Sequence, residues 1–201
     1  MNDNLEIPVG RTSKERYGIL NYTLVVSENT GPFIEGIIQK CHQRQTELLS
    51  QGEENIPMAR IVAKVLAEEV SSGVYFPRLL VGGKYHPEDV VKNVSCFDIS
   101  FMAQLVLEGL GIKSQGEKTS LLMIPKHYYT VTEDKEVIDL FVRGKKYPDG
   151  YFKSIEEYKE RLRHVNSLGV AGLGKQAKKM ALGDRKEDLI ARIEQREKKG
   201  A

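Results

Sequence analysis

The segment from Ser95 to Gly111 constrains the fold most strongly, because it has the pattern of a helix that is mostly buried. Ser95, with Asp98 three residues later, is typical of an N-cap followed by an acid that reaches back to unpaired amides. Apolar residues then recur at helical spacing, at Ile99, Met102, Ala103, Leu105, Val106 and Leu110. Gly111 suits the C′ position that ends a helix. The sequence therefore predicts a buried helix that starts at Cys96.

Cys96 lies in the first turn of this predicted helix. Unpaired backbone N–H groups and the positive end of the helix dipole favour a thiolate at such a position. A thiolate is a nucleophile, and the same amides can bind the oxyanion that forms when sulfur attacks a carbonyl carbon. The position therefore predicts a nucleophilic cysteine, although a buried cysteine taken alone is usually inert packing.

Two β-type runs follow, Leu121 to Thr132 and Glu136 to Val142, and the simplest arrangement for them is an antiparallel hairpin. A hairpin centred on Glu133 would make His127 and Asp139 direct cross-strand partners. A register two residues longer would make them diagonal neighbours on one face, and a one-residue shift would separate them. The two registers that place them on one face thus predict that the side chains of His127 and Asp139 meet. Taken alone, a strand histidine is usually a structural residue and a strand aspartate is often an edge residue.

A cysteine at a helix start, then a histidine and an aspartate on adjacent strands, resembles the transglutaminase-like superfamily of papain-type cysteine enzymes. The segments that carry the resemblance are Ser-Cys-Phe-Asp (95–98) running into Leu-Glu-Gly-Leu-Gly-Ile (107–112), His-Tyr-Tyr-Thr-Val (127–131) and Val-Ile-Asp-Leu-Phe (137–141). The resemblance implies an α+β fold with a transglutaminase-like or papain-like core, in which an antiparallel sheet packs on the nucleophile helix and further helices surround it.

The resemblance and general chemistry assign the same roles. Cys96 attacks an acyl carbon, His127 takes and returns the proton, and Asp139 fixes the imidazole tautomer and stabilises its charged form. No metal and no cofactor are expected. The weaker candidates, for the oxyanion hole or the substrate cleft, are Asn93, His86 and Tyr129.

The expected function is that of a cysteine hydrolase that cleaves or deamidates a peptide or protein amide through a thioester. One alternative is an acyl- or acetyltransferase, either a transglutaminase with an amine acceptor or an enzyme like the arylamine N-acetyltransferases. The latter use Cys, His and Asp in this order, but their Arg-Gly-Gly-x-Cys motif is absent here. The other alternative is a non-catalytic protein-interaction domain with a merely buried Cys96.

Composition and charge indicate one soluble domain with an appendage. The chain has 201 residues, is 40% hydrophobic and 29% charged, and carries a formal net charge of +2. Charges interrupt the N-terminus and no apolar run approaches the length of a membrane span, which predicts a cytoplasmic protein without excluding export that needs no cleaved signal. Acids dilute the basic residues of the C-terminal part, which predicts a solvated helix for docking or self-association rather than a nucleic-acid clamp.

The remaining segments complete a predicted catalytic domain at 1–167 and a basic helical tail at 168–201. The near P-loop at 169–176 follows a helix instead of a buried strand and lacks the Ser/Thr that would hold magnesium, so a flexible joint is expected there. The other expected elements are an edge strand or arm at 19–26, helices at 33–50 (with Cys41 in its apolar stripe) and 57–70, a strand at 76–81, a loop at 82–89 before the nucleophile, a basic loop at 143–152 and a helix at 155–166.

Overall fold

The structure is a computed structural model that describes residues 7–17, 20–70, 83–90, 95–121 and 124–167. The predicted tail at 168–201, the predicted strand at 76–81 and Asn93 lie outside the described residues, so the proposed domain boundary stays a prediction. None of the described helices combines the length and apolar character needed to cross a bilayer.

The N-terminal part forms a three-stranded sheet. Strand β1 (Thr12–Tyr17) pairs antiparallel with β2 (Leu20–Val25), and β3 (Gly83–Tyr85) runs parallel to the other side of β2. The prediction of an edge strand or arm at 19–26 was therefore wrong, because β2 is the central strand. β1 was missed because its sequence, TSKERY, is polar and charged and carries no apolar alternation.

Two helices follow, α1 (Thr30–Ser50) and α2 (Met58–Glu69). The first begins three residues earlier than the predicted start, and Cys41 is fully buried in its stripe, as predicted. Leu49, near the end of α1, is 55% exposed. α1 and α2 pack together and against the helix of Cys96.

That helix, α3 (Cys96–Gly109), has the predicted ends. At its start, Ser95 and Asp98 form a reciprocal capping box. At its end, Gly111 adopts a φ of +73°. Its amide donates to the Glu108 carbonyl and the next amide donates to the Leu107 carbonyl, which is the Schellman arrangement.

A second sheet contains β4 (Ser114–Leu121), β5 (Ile124–Thr132), β6 (Val137–Ile138) and β7 (Tyr151–Phe152), in that spatial order and antiparallel throughout. The single strand predicted from Leu121 to Thr132 was wrong, because Leu121 ends β4 and β5 begins at Ile124. β7 lies inside the segment predicted to be a basic loop.

The β5–β6 hairpin has the longer of the two same-face registers. Thr130 pairs with Ile138 and Val131 with Val137, so the loop is centred on Asp134 rather than Glu133. The loop closes on Lys135, whose φ is +66°. A three-residue loop with a left-handed residue before the returning strand is a common hairpin connection, but here that residue is not a glycine.

The last described helix, α4, covers 155–167. The amide of Glu157 donates to the Ser154 hydroxyl at 3.2 Å, which caps the start of this helix. α4 packs on one face of the second sheet, where Tyr158, Leu162 and Val165 are buried in a small core, and the larger core with α1, α2 and α3 lies on the other face. The described residues therefore form an α+β fold, with four α-helices and two β-sheets.

Candidate active site

The start of α3 is fixed by buried polar contacts that hold Cys96 in place. The Ser95 hydroxyl accepts from the Asp98 amide at 3.2 Å, and the Asp98 carboxylate accepts from the Ser95 amide at 2.6 Å. The other carboxylate oxygen accepts from the Tyr22 hydroxyl at 2.7 Å. The capping box does not use the amides of Cys96 and Phe97, which remain the first-turn donors beside the thiol.

Hydrogen bonds also fix α3 against β5, the strand that carries the candidate histidine. The Ser100 hydroxyl donates to the Tyr129 carbonyl at 3.1 Å, and the Thr130 hydroxyl donates to the Ser100 carbonyl at 3.1 Å. Nearer the helix start, the rings of Phe97 and Tyr128 pack edge to face with centroids 5.0 Å apart. Contacts in the first turn of α3 and about one turn further along therefore hold the nucleophile helix against β5.

His127 lies in the part of β5 next to the start of α3, where Tyr128 packs on Phe97. Successive strand residues alternate in face, so His127 shares its face with Tyr129, whereas Tyr128 and Thr130 point toward α3. Pairing between β5 and β6 ends at Thr130 and Ile138, and the chain then turns away in a 3-10 segment. His127 thus lies beyond the end of the β6 ladder, on the face from which Asp139 also approaches.

The sequence predicted Asp139 to lie in a strand, and this was wrong. Asp139 instead caps the 3-10 turn Leu140–Val142. Its Oδ1 accepts from the Phe141 amide at 2.9 Å. Its Oδ2 accepts from His127 Nε2 at 2.5 Å, and both side chains are only 1% exposed. A buried carboxylate is expected to be hydrogen-bonded in this way, since its desolvation would otherwise be costly.

The thiol of Cys96 lies close enough to His127 to affect its pKa. Burial lowers the pKa of His127, but the charge and hydrogen bond of Asp139 outweigh it, and a hydrogen bond to Cys96 adds to them, so that the pKa of His127 is raised. Because Nε2 is bonded to Asp139, the ring nitrogen left for the thiol is Nδ1. The three residues predicted from the sequence therefore lie in series, Cys96 to His127 to Asp139.

Comparisons of the chain with protein-family models, with curated proteins and with solved structures found no match. The chemistry of the site therefore has to follow from its own atoms. Within the described ranges, no cluster of three or more His, Cys, Asp or Glu side chains is placed to hold a metal ion.

The two cysteines differ in environment. Cys41 is fully buried in α1, and burial raises its pKa to about 12, so its thiol stays protonated at neutral pH. Cys96 is only partly buried and lies beside an imidazole. Cys41 is therefore an internal reference for the reactivity of Cys96.

The weaker candidates have other hydrogen-bonding partners. His86 Nδ1 donates to the Val25 carbonyl at 2.7 Å, which ties the segment after β3 to β2. The Tyr129 hydroxyl donates to Glu117 at 2.9 Å, and its ring packs against Tyr158 with centroids 4.5 Å apart. Their roles in the oxyanion hole or the substrate cleft stay predictions.

Two further residues of the site had no sequence signal that marked them as functional. Tyr158 belongs to the apolar stripe of α4, yet its hydroxyl donates to Asp139 Oδ2 at 2.8 Å. Phe141 places its ring edge to face against the His127 imidazole, with centroids 6.0 Å apart. Both contacts join distant turns of the chain to the site, which local periodicity does not reveal.

The backbone of Asp139 is held by Gly150. The Asp139 amide donates to the Gly150 carbonyl at 2.8 Å. Gly150 has a φ of +74°, and a Cβ built on it would lie 2.6 Å from the Asp139 carbonyl oxygen and 2.9 Å from Leu140 Cα. Only glycine satisfies both the conformation and the close approach.

Gly150→Ala is expected to lower the free energy of unfolding by about 1 kcal/mol or more beyond the cost of Gly52→Ala, as measured by urea denaturation. Gly52 is the matched control, because it also has a positive φ, +80°, but has nothing within 4 Å of its Cβ direction. The difference between the variants isolates the contact with Asp139. Equal losses would show that the loop accommodates a methyl group without strain at the site.

Proposed function

We propose that this protein is a cysteine hydrolase of the transglutaminase-like type, which cleaves or deamidates a peptide or protein amide through a thioester. The observation that carries the proposal is that one imidazole, His127, donates to a buried carboxylate and lies close to a thiol at a helix N-terminus. Each group alone has a structural explanation, but a buried charged pair that adjoins a partly exposed cysteine at a helix start is the arrangement of an activated nucleophile.

The reaction divides into two steps. The Cys96 sulfur bonds to the acyl carbon, the C–N bond breaks, and His127 gives its proton to the leaving amine. Water then attacks the thioester, His127 takes a proton from that water, and the acid leaves as the thiolate is restored. Asp139 stays ionised and holds the imidazole with Nδ1 toward the sulfur.

The start of α3 supplies the means to stabilise the tetrahedral intermediates. The amides of Cys96 and Phe97 are outside the capping box, and the helix dipole is positive at this end. The packing of α3 on an antiparallel sheet also supports a transglutaminase-like core. The same thioester could pass its acyl group to an amine instead of water, so acyl transfer remains the competing outcome of the test.

The first test compares the alkylation of Cys96 and Cys41 by iodoacetamide between pH 5 and 9, read by peptide mass spectrometry. Cys96 is expected to react readily at pH 6, since imidazolium beside the sulfur favours the thiolate, whereas buried Cys41 should stay unmodified. Cys96→Ser serves as the control for peptide assignment. If Cys96 is as inert as Cys41 across this range, the hydrolase proposal fails.

A panel of peptides then identifies the acceptor. Release of ammonia together with conversion of the amide to an acid would identify a deamidase, and a new peptide terminus would identify a protease. A mass gain equal to an added primary amine minus the ammonia that it displaces would identify an acyltransferase. Each product should disappear in Cys96→Ser. An acyl adduct on Cys96 in the intact protein mass would report the thioester itself.

A further inference from the structure

Tyr158 approaches the candidate site from α4, a helix to which the proposed mechanism assigns no role. Its side chain is fully buried, with 1% of its surface exposed. Its hydroxyl donates to Asp139 Oδ2 at 2.8 Å, the same oxygen that accepts from His127 Nε2 at 2.5 Å. One carboxylate oxygen thus joins a strand histidine to a helix tyrosine.

Packing does not explain this hydroxyl. The Tyr158 ring lies against Tyr129 and Phe152, with centroids 4.5 Å and 5.3 Å away, contacts that a phenylalanine would make equally well. A buried hydroxyl is costly unless it is bonded, and its acceptor here is the carboxylate that orients the imidazole. Burial and the charge of Asp139 raise the pKa of Tyr158, so the phenol stays a donor at physiological pH.

We propose that Tyr158 is a positioning residue of the Cys96–His127–Asp139 site, which fixes the Asp139 carboxylate and reduces the charge that Oδ2 presents to the imidazole. With the Phe141 amide on Oδ1 and the tyrosine on Oδ2, the carboxylate is held from two directions. The inference rests on the proposed function, because it assigns Tyr158 a role in the reactivity of Cys96.

The proposal predicts the direction in which His127 responds. In Tyr158→Phe, Oδ2 loses a donor and its charge is available to His127 alone, so imidazolium is favoured. The titratable groups that face this carboxylate are His127 from β5 and Tyr158 from α4, with Cys96 beyond the imidazole and the bonded pair Tyr129 and Glu117 beyond the phenol. Neither of these outer groups loses its partner in the variant.

The test is an NMR titration of the His127 ring in the full chain. Tyr158→Phe is expected to move the midpoint upward by about half a pH unit or more. Tyr151→Phe is the matched control, because Tyr151 is buried and donates to a carboxylate, Glu136 at 2.6 Å, outside the site. A midpoint in Tyr158→Phe that equals those of the wild type and the control would overturn the proposal.

Two further measurements separate a positioning role from a structural one. In a protein that already carries Asp139→Asn, adding Tyr158→Phe should leave the alkylation rate of Cys96 unchanged, since the coupling passes through the carboxylate. If Tyr158→Phe changes this rate by the same factor with Asp139 and with Asn at position 139, the role is refuted. The second measurement uses the wild type, so it applies even if Tyr158→Phe does not fold. The NMR resonance of the Tyr158 hydroxyl proton should shift as His127 titrates, and a constant resonance would overturn the proposal.

The titration also keeps the two proposals distinguishable. Inertness of Cys96 toward iodoacetamide in the wild type would refute the hydrolase. The upward shift in Tyr158→Phe depends only on hydrogen bonds to Asp139, so it would still be observed if Tyr158 tunes the pair. Reactive Cys96 together with an unchanged midpoint would retain the hydrolase and reject the role of Tyr158.

Discussion

His127→Ala is expected to slow the alkylation of Cys96 at pH 6 by at least about tenfold and to reduce amide turnover by roughly 10²–10⁴-fold. Without the imidazolium, little thiolate forms at pH 6, because an ordinary thiol has a pKa of about 8.5. The loss in alkylation is the smaller one, since a less acidic thiol is intrinsically more nucleophilic once ionised. Turnover also loses the proton donor for the leaving amine.

The variant is expected to fold, because Asp139 keeps the Phe141 amide and the Tyr158 hydroxyl as donors after His127 is removed. His42→Ala is the control for a histidine outside the site, since His42 is exposed on α1. The rates are compared from pH 5 to 9 by peptide mass spectrometry. An unchanged pH profile of Cys96 alkylation in His127→Ala would contradict a thiolate–imidazolium pair.

The helix that carries Cys96 was predictable because its signals are local. Ser95 and Asp98 lie three residues apart and cap each other, and Gly111 adopts the left-handed conformation that ends the helix. The apolar residues between these ends are so frequent that burial on most faces was the only consistent arrangement. Caps and helical periodicity depend on residues within a few positions of one another, so both are visible in the sequence.

The second sheet shows where local patterns fail. β4 has the sequence SQGEKTSL and is mostly exposed, so no apolar alternation marks it, and it is held by its ladder with β5. β7 has two residues and pairs with β6 across a long loop. The hairpin register depended on Lys135, a non-glycine residue in a left-handed conformation that its identity does not predict.

The proximity of His127 and Asp139 could be predicted from the sequence, but the geometry of their contact and the other residues around them could not. Shifting the hairpin register by two residues keeps His127 and Asp139 on the same face. The difference between a loop centred on Glu133 and the observed loop centred on Asp134 therefore left their predicted proximity unaffected. That Asp139 caps a 3-10 turn, and that Gly150 and Tyr158 hold it, depends on contacts between separate elements. The helical spacing of Tyr158, Leu162 and Val165 is typical of a buried stripe, but it contains no information about which acceptor the Tyr158 hydroxyl would find.

Asp139→Asn is expected to reduce turnover by at least about 10²-fold while the fold is kept, because an amide cannot accept from all three donors around the carboxylate. The donors are the Phe141 amide on Oδ1 and His127 Nε2 with the Tyr158 hydroxyl on Oδ2. The backbone amide cannot move, so the asparagine oxygen stays with it and the NH₂ group faces His127. Nε2 must then accept, the proton moves to Nδ1, and the imidazole can no longer take a proton from the thiol.

The same variant makes a signed prediction for stability. Since the pKa of His127 is raised in the folded wild type, the protonated pair stabilises the fold fully below the ordinary imidazole value of about 6.5, and this contribution is lost as the pH rises through the raised value. In Asp139→Asn, burial without a charged partner lowers the pKa of His127, so protonation below about pH 6.5 destabilises that variant. Urea unfolding from pH 5 to 9 should therefore show a wild-type advantage in unfolding free energy that is largest at acidic pH and shrinks as the pH rises. Groups shared by both proteins cancel in this difference, so an advantage that stays constant over the range would refute a charged His127–Asp139 pair.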